Sequence, residues 1–179
     1  MALTVEWIRA AEDDELLFEL LSGQLQRLLP EEIQENRDLY QETLATLPRG
    51  LRAMAGTHFF GLSMSPDDLA WHFGNQSNER DPDETLNGLR ESELFEIAHL
   101  VKQQWEFMKP HLHALQAGDM GGKEPHDWLG QIGAQRMADP TNKIIWDHCE
   151  QAGKPGLLAS WTPYASKYPE RCVVAESEV

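Results

Sequence analysis

A chain of 179 residues is long enough to bury a substantial core and is expected to form one domain over residues 1–172. Hydrophobic residues at 41% and charged residues at 25% exclude wholesale disorder, while 30 acids against 15 bases give a net charge of −15 whose field repels phosphate and argues against direct nucleic-acid binding. With no basic and then apolar N-terminal segment, no apolar run near the ~18 residues of a membrane span, and Cys149 and Cys172 lacking CxxC spacing, the chain is expected in the cytoplasm with two free thiols and no membrane association.

The acids crowd the front of the chain. Residues 1–50 carry 11 acids and 4 bases, and residues 51–100 carry 9 and 3. Residues 101–150 carry 7 and 5, and 151–179 balance at 3 and 3. Leu16, Leu17, Leu20, Leu21, Leu25, Leu28 and Leu29 recur at helical spacing behind Asp13, Asp14 and Glu15. This predicts a helix whose first-turn acids oppose the positive end of its dipole. Pro30 opens a second helix, PEEIQENRDLYQETL, with Ile33, Tyr40, Leu44 and Leu47 towards the core. A third, over 51–60, sets Leu51, Met54, Ala55 and Phe59 on one side.

Two further helix starts are strongly signalled. Ser65-Pro66-Asp67-Asp68 and Asp81-Pro82-Asp83-Glu84 each read as an N-cap, a proline at the first helical position and two first-turn acids. Asp139-Pro140-Thr141 repeats the device. The longest helix is expected from about Ser92 to Lys109, with Leu94, Ile97, Ala98, Val101, Trp105 and Met108 on one stripe and Pro110 ending or kinking it. The glycine-rich stretch 117–126 breaks the chain before helices at 127–137 and 140–152, the latter stopped by Gly153 and Pro155. Residues 173–179 read as a frayed tail, and no stretch alternates with a period of two. The expectation is an all-α, single-domain bundle of about seven to nine helices.

Catalytic constellations are sparse. Gly61-Leu62-Ser63-Met64-Ser65 begins like a nucleophile elbow but lacks the final glycine and a preceding strand. There is no phosphate-binding glycine motif. Glu96 and His99 form an ExxH step, half of a di-iron carboxylate site, without a second copy. Asp68 and His72 read as an i,i+4 pair, and His111-x-His113 could chelate only on a strand. Asp147, His148 and Cys149 are consecutive and point to different faces of a helix. No enzyme, metal or cofactor is expected. Among the aromatics, Trp105 belongs to the core; Trp71 with Phe73, and Trp161 with Tyr164 and Tyr168, favour core packing over interface anchoring.

Asp67-Asp68-Leu69-Ala70-Trp71-His72-Phe73-Gly74-Asn75-Gln76, followed by Glu84-Thr85-Leu86-Asn87-Gly88-Leu89 and a long helix, resembles the bacterial DNA-mimic-like family, a domain-of-unknown-function family. Trp71 stands in the aromatic helix, and Phe73-Gly74-Asn75 matches its Phe-x-Asn step. Leu86, Leu89 and Ile97 take the following apolar positions, and Tyr168-Pro169-Glu170 is similar to a late proline–glutamate step. The likeness covers roughly residues 60–115, and Ser65-Pro66 stands where the family carries a glycine pair. It implies an all-α, non-enzymatic protein. In the best-understood branch an acidic dimer presents carboxylates in place of DNA phosphates to a transcription factor, which makes a homodimer one option here.

The functional expectation is therefore an acidic binding or regulatory protein engaging a basic partner, such as a DNA-binding protein, through helix faces in its N-terminal half. The candidate residues are Asp13, Asp14, Glu19, Glu31, Glu32, Glu35, Asp38 and Glu42. One alternative is an immunity or antitoxin-like protein neutralising a basic toxin or nuclease. Another is a metal-dependent helical enzyme built on Glu96 and His99.

Overall fold

Thr4 and Asp13 sit in extended backbone and each accepts from an amide three residues on, Thr4 Oγ1 from Trp7 N at 3.2 Å and Asp13 Oδ1 from Leu16 N at 2.7 Å. These caps open α1 (Val5–Ala10) and α2 (Asp14–Leu28). The structure, a computed structural model, describes residues 3–63, 69–74, 80–137, 140–150 and 159–174; among them are eleven α-helices and no strand. Ser65-Pro66-Asp67-Asp68, Asn75, Asp139, Gly153, Pro155 and residues 175–179 lie outside the described residues, as do the side chains of Phe59, Trp71 and Cys149. The chain is all-α, and no helix among the described residues is long and apolar enough to cross a membrane.

The helix expected from Pro30 is two helices, α3 (Glu31–Glu35) and α4 (Arg37–Thr46). Asn36 leaves the helical region (φ −97°, ψ 100°), and its side-chain oxygen accepts from Leu39 N at 3.2 Å. A short polar side chain thus offers the backbone an alternative to an unbroken helix. After α5 (Arg49–Ser63) and α6 (Leu69–Gly74), α7 (Arg80–Glu91) places Pro82 in its first turn, where the missing N–H has no helical acceptor to lose. Asp81, expected as its cap, is instead turned to α4, in an ion pair with Arg37 and accepting from Gln41 Nε2 at 2.6 Å.

The longest helix, α8, spans Phe95–Ala117. Its start falls after Ser92 because Glu93 takes φ 63° in the turn that closes α7, with Leu94 N donating to Leu89 O at 2.9 Å. Pro110 does not end it. Met108 and Leu112, two residues to either side, are both buried in one cluster, so packing holds the helix together across the lost amide. Gly118, at φ 72°, stops it, and Asp119 N returns to Ala114 O at 2.8 Å in a Schellman-type end. Helices α9 (Pro125–Met137), α10 (Pro140–Glu150) and α11 (Trp161–Lys167) follow, with a 3-10 turn at Pro169–Arg171. The count exceeds expectation because Asn36 splits one helix and because α1 and α11, at 6 and 7 residues, are too short for a clear period.

Two apolar clusters share α5. Leu51 and Met54 join Leu17, Leu21, Tyr40, Leu44 and Trp161 in the first, formed by α1, α2, α4, α5 and α11. Val173 and Val174, the first residues of the expected tail, are half-buried at its edge. Phe60 joins Phe73, Leu89, Val101, Trp105, Leu129 and Ile145 in the second, formed by α5 to α10. Helices α5 and α7 make a close crossing: a Cβ at Gly88 would stand 2.5 Å from Ala53 O and one at Gly56 2.6 Å from Glu84 O. Thr85 Oγ1 donates to Gly56 O at 2.9 Å across it, and Trp161 Nε1 donates to Thr57 Oγ1 at 3.1 Å, so buried polar atoms on this axis find partners.

Candidate functional site

Burying Leu17, Leu21 and Leu25 of α2, and Tyr40 and Leu44 of α4, turns the opposite helix faces to solvent. Asp14 and Glu19 on α2, Glu31, Glu32 and Glu35 on α3, and Asp38 and Glu42 on α4 are exposed. None of these is held in an ion pair among the described residues; Asp13, also exposed, caps α2. The arginines nearest in sequence are directed elsewhere, Arg27 Nη2 to Gln24 Oε1 at 2.7 Å and Arg37 to Asp81. Two large apolar side chains share these faces: Leu16 and Leu39 are each 42% exposed. Leu16 stands three residues from Asp13 and from Glu19, and Leu39 lies beside Asp38 and three residues before Glu42, so carboxylates flank both.

Acids on and just after α7 behave differently. Glu84 is clasped by Arg52, whose Nε lies 2.8 Å from Oε2. Glu91 accepts from Arg49 Nε at 2.8 Å, Arg171 Nη1 at 3.2 Å and the Tyr164 hydroxyl. Burial by itself raises Glu91, but these donors outweigh it and hold the carboxyl below its ordinary range. Lys167 and Tyr168 each reach Glu93 at 2.7 Å, and their hydrogen bonds hold that carboxyl low as well. The Arg171 guanidinium lies 4.0 Å from the centre of the Tyr168 ring. These pairs tie α11 and the 3-10 turn to the α7–α8 junction.

The histidine candidates separate. Glu96 and His99 are exposed on α8, with His99 Nε2 3.1 Å from Gln103 Nε2. Because α8 continues through Pro110, His111 and His113 are helical neighbours two apart and diverge: His111 packs between the Phe107 and Trp128 rings, and His113 is exposed. Asp147 binds Lys143 Nζ at 2.7 Å. No three His, Cys, Asp or Glu side chains stand close enough to hold a metal ion among the described residues. His72 is buried against Phe60 and Phe73, and burial pushes it down to about 3. Phe73 is fully buried 5.2 Å from Trp105, and Trp161 is 1% exposed, so both are core residues. Cys172 is a buried free thiol pushed up to about 12, first by burial and then by Glu170 and Glu91.

A cleft of about 280 Å³ lies where α2, α3, α4, α5 and α11 converge. Its buried wall is Leu25, Leu29, Tyr40, Ala55 and Trp161; Ser22, Gln26, Gln34 and His58 form its more accessible part. Sequence reasoning missed it, since the walls come from residues 22 to 161 with no local spacing to connect them. No family model matches the chain, and no curated protein or solved structure matches it.

Proposed function

We propose that the chain is a non-catalytic binding protein of the cytoplasm. It engages a basic protein partner of the DNA-binding kind through the exposed faces of α2, α3 and α4, offering carboxylates where that partner otherwise receives phosphates. One observation carries the reading: Asp14, Glu19, Glu31, Glu32, Glu35, Asp38 and Glu42 are exposed on α2, α3 and α4 and none is held in an ion pair among the described residues. Leu16 and Leu39, each exposed beside such carboxylates in the chain, add apolar area of the kind an interface combines with charge. The long-range field of a −15 chain speeds encounter with a cationic partner, and the leucines supply contact that salt does not screen.

The test is binding to a panel of purified DNA-binding proteins across a salt series, with duplex DNA as competitor. A binder should weaken steeply as salt rises and be displaced by the duplex. Replacing Glu31, Glu32, Glu35 and Glu42 with Gln and Asp38 with Asn should weaken it about tenfold or more, at a few tenths to about 1 kcal/mol per exposed charge. The control neutralises Asp119, Glu124 and Asp127, exposed acids near the glycine-rich loop, and should leave affinity nearly unchanged. Salt-insensitive binding, or equal losses in the two variants, overturns the proposal.

A further inference from the structure

We infer that the cleft between α2, α3, α4, α5 and α11 is a binding site for a small uncharged aromatic ligand bearing an amide-like edge. The cleft is distinct from the acidic outer faces of α2 to α4, so a ligand there is independent of the partner proposed for those faces.

At about 280 Å³ the cleft sits at the small end of ligand pockets, with room for one ring and a polar substituent. Its lining carries no Asp, Glu, Lys or Arg. Burial lowers His58, which keeps the imidazole neutral near neutral pH. Burial first, then the Asp81 and Glu84 carboxylates, raises Tyr40 above its usual range, so the phenol keeps its proton. A charged ligand would therefore leave water without a counter-charge to receive it, and an anion would also face the field of the whole chain.

The lining also specifies shape. The rings of Tyr40, His58 and Trp161 favour a flat apolar body, with the His58 and Trp161 centroids 6.0 Å apart. Trp161 is 1% exposed with its Nε1 bonded to Thr57, so the indole closes the floor of the cleft and brings it no free donor. On the accessible side, Gln26 and Gln34 are amides and Ser22 a hydroxyl, groups that pair with a ligand carrying both a donor and an acceptor. Gln34 is held in place because its Nε2 donates to Leu29 O at 2.5 Å. A fixed amide beside an aromatic wall is a preorganised recognition element.

An isosteric series tests this. Benzamide, benzoate and benzamidine share a ring and differ in charge, and each is titrated into the ¹⁵N-labelled full chain while amide, glutamine side-chain and indole shifts are followed. Benzamide should shift Ser22, Gln26, Gln34 and Trp161 together, benzoate should not, and benzamidine should perturb only the exposed acids of α2–α4 and lose even that in salt. Ser22→Phe, placed on the half-buried side, should reduce benzamide affinity at least tenfold with the fold intact by circular dichroism; Ala55→Leu should do the same from the buried wall. The inference is overturned if benzamide shifts none of these residues, if either charged congener occupies the cleft as well as benzamide does, or if Ser22→Phe leaves benzamide binding unchanged.

Discussion

Replacing Gly88 with alanine should destabilise the protein even though alanine is the better helix former. In an open helix position the exchange stabilises by about 1 kcal/mol, through propensity and reduced freedom of the unfolded chain. At Gly88 the added Cβ would stand 2.5 Å from Ala53 O and 3.0 Å from Thr57 Cγ2. The first contact is with backbone of a neighbouring helix, so no side chain can rotate away; α5 and α7 must part. Overpacking of this kind costs about 1–3 kcal/mol, and separating the helices also stretches the Thr85 Oγ1 to Gly56 O bond that crosses them. A net loss of about 2 kcal/mol lowers Tm by about 4–8 °C in a chain of this size. Gly23→Ala is the matched control, because its Cβ meets only the mobile end of Arg27 at 3.7 Å, and it should stabilise by about 0.5–1 kcal/mol. Urea and thermal unfolding followed by circular dichroism give both values. A Gly88→Ala protein as stable as the parent would refute the close crossing.

Trp161→Phe removes the indole donor to Thr57 Oγ1 and shrinks a side chain that is 1% exposed. It should cost about 1–3 kcal/mol from the lost hydrogen bond and the space left behind, and an unchanged urea midpoint would count against that placement. Acid should loosen the C-terminal segment before the helix pair α5–α7. Glu91 and Glu93 are both held below the ordinary glutamate value of 4.5, so their contribution is complete above that value and is lost as pH falls through the lower folded values. Amide protection over 159–174, corrected for the intrinsic exchange rate at each pH, should therefore be high at pH 6 and fall below about pH 4, ahead of protection in α5 and α7. Equal loss of protection in all three segments would refute the clamp.

The helices that were legible in the sequence are those whose start and period are both local. Asp13 with its leucine stripe is one, and the stripe through Ile97, Val101, Trp105 and Met108 is another. What was not legible depended on distant contacts. Nothing near Pro110 in sequence says that Met108 and Leu112 are both buried in a cluster fed by α5, α6, α7, α9 and α10, yet this is what carries α8 past a proline. Asn36 is a capping type of residue, but the same residue in a helix interior costs little, and only the turn it makes decides between the two. The cleft was invisible for a stronger reason: it is a gap between five helices, and no spacing within any one of them encodes it.

The same distinction explains why net charge marks a region without marking a site. Carboxylates at helix junctions are partly withdrawn from water, and such a group is costly unless a cation stays beside it. Several basic residues stand beside them: Arg37 on Asp81, Arg52 on Glu84, and Arg49 and Arg171 on Glu91, while Lys167 holds the exposed Glu93 nearby. Some of these partners are 70 or more residues apart in sequence, so no local count of acids and bases anticipates them. Asp14, Glu19, Glu31, Glu32, Glu35, Asp38 and Glu42 are exposed, where water solvates them at little cost and no internal cation is required. Several of the bases are thus engaged at helix junctions, while the exposed carboxylates named on α2 to α4 have no ion-pair partner among the described residues. That partition, rather than the total of −15, is what makes those faces suited to a cation brought by another molecule.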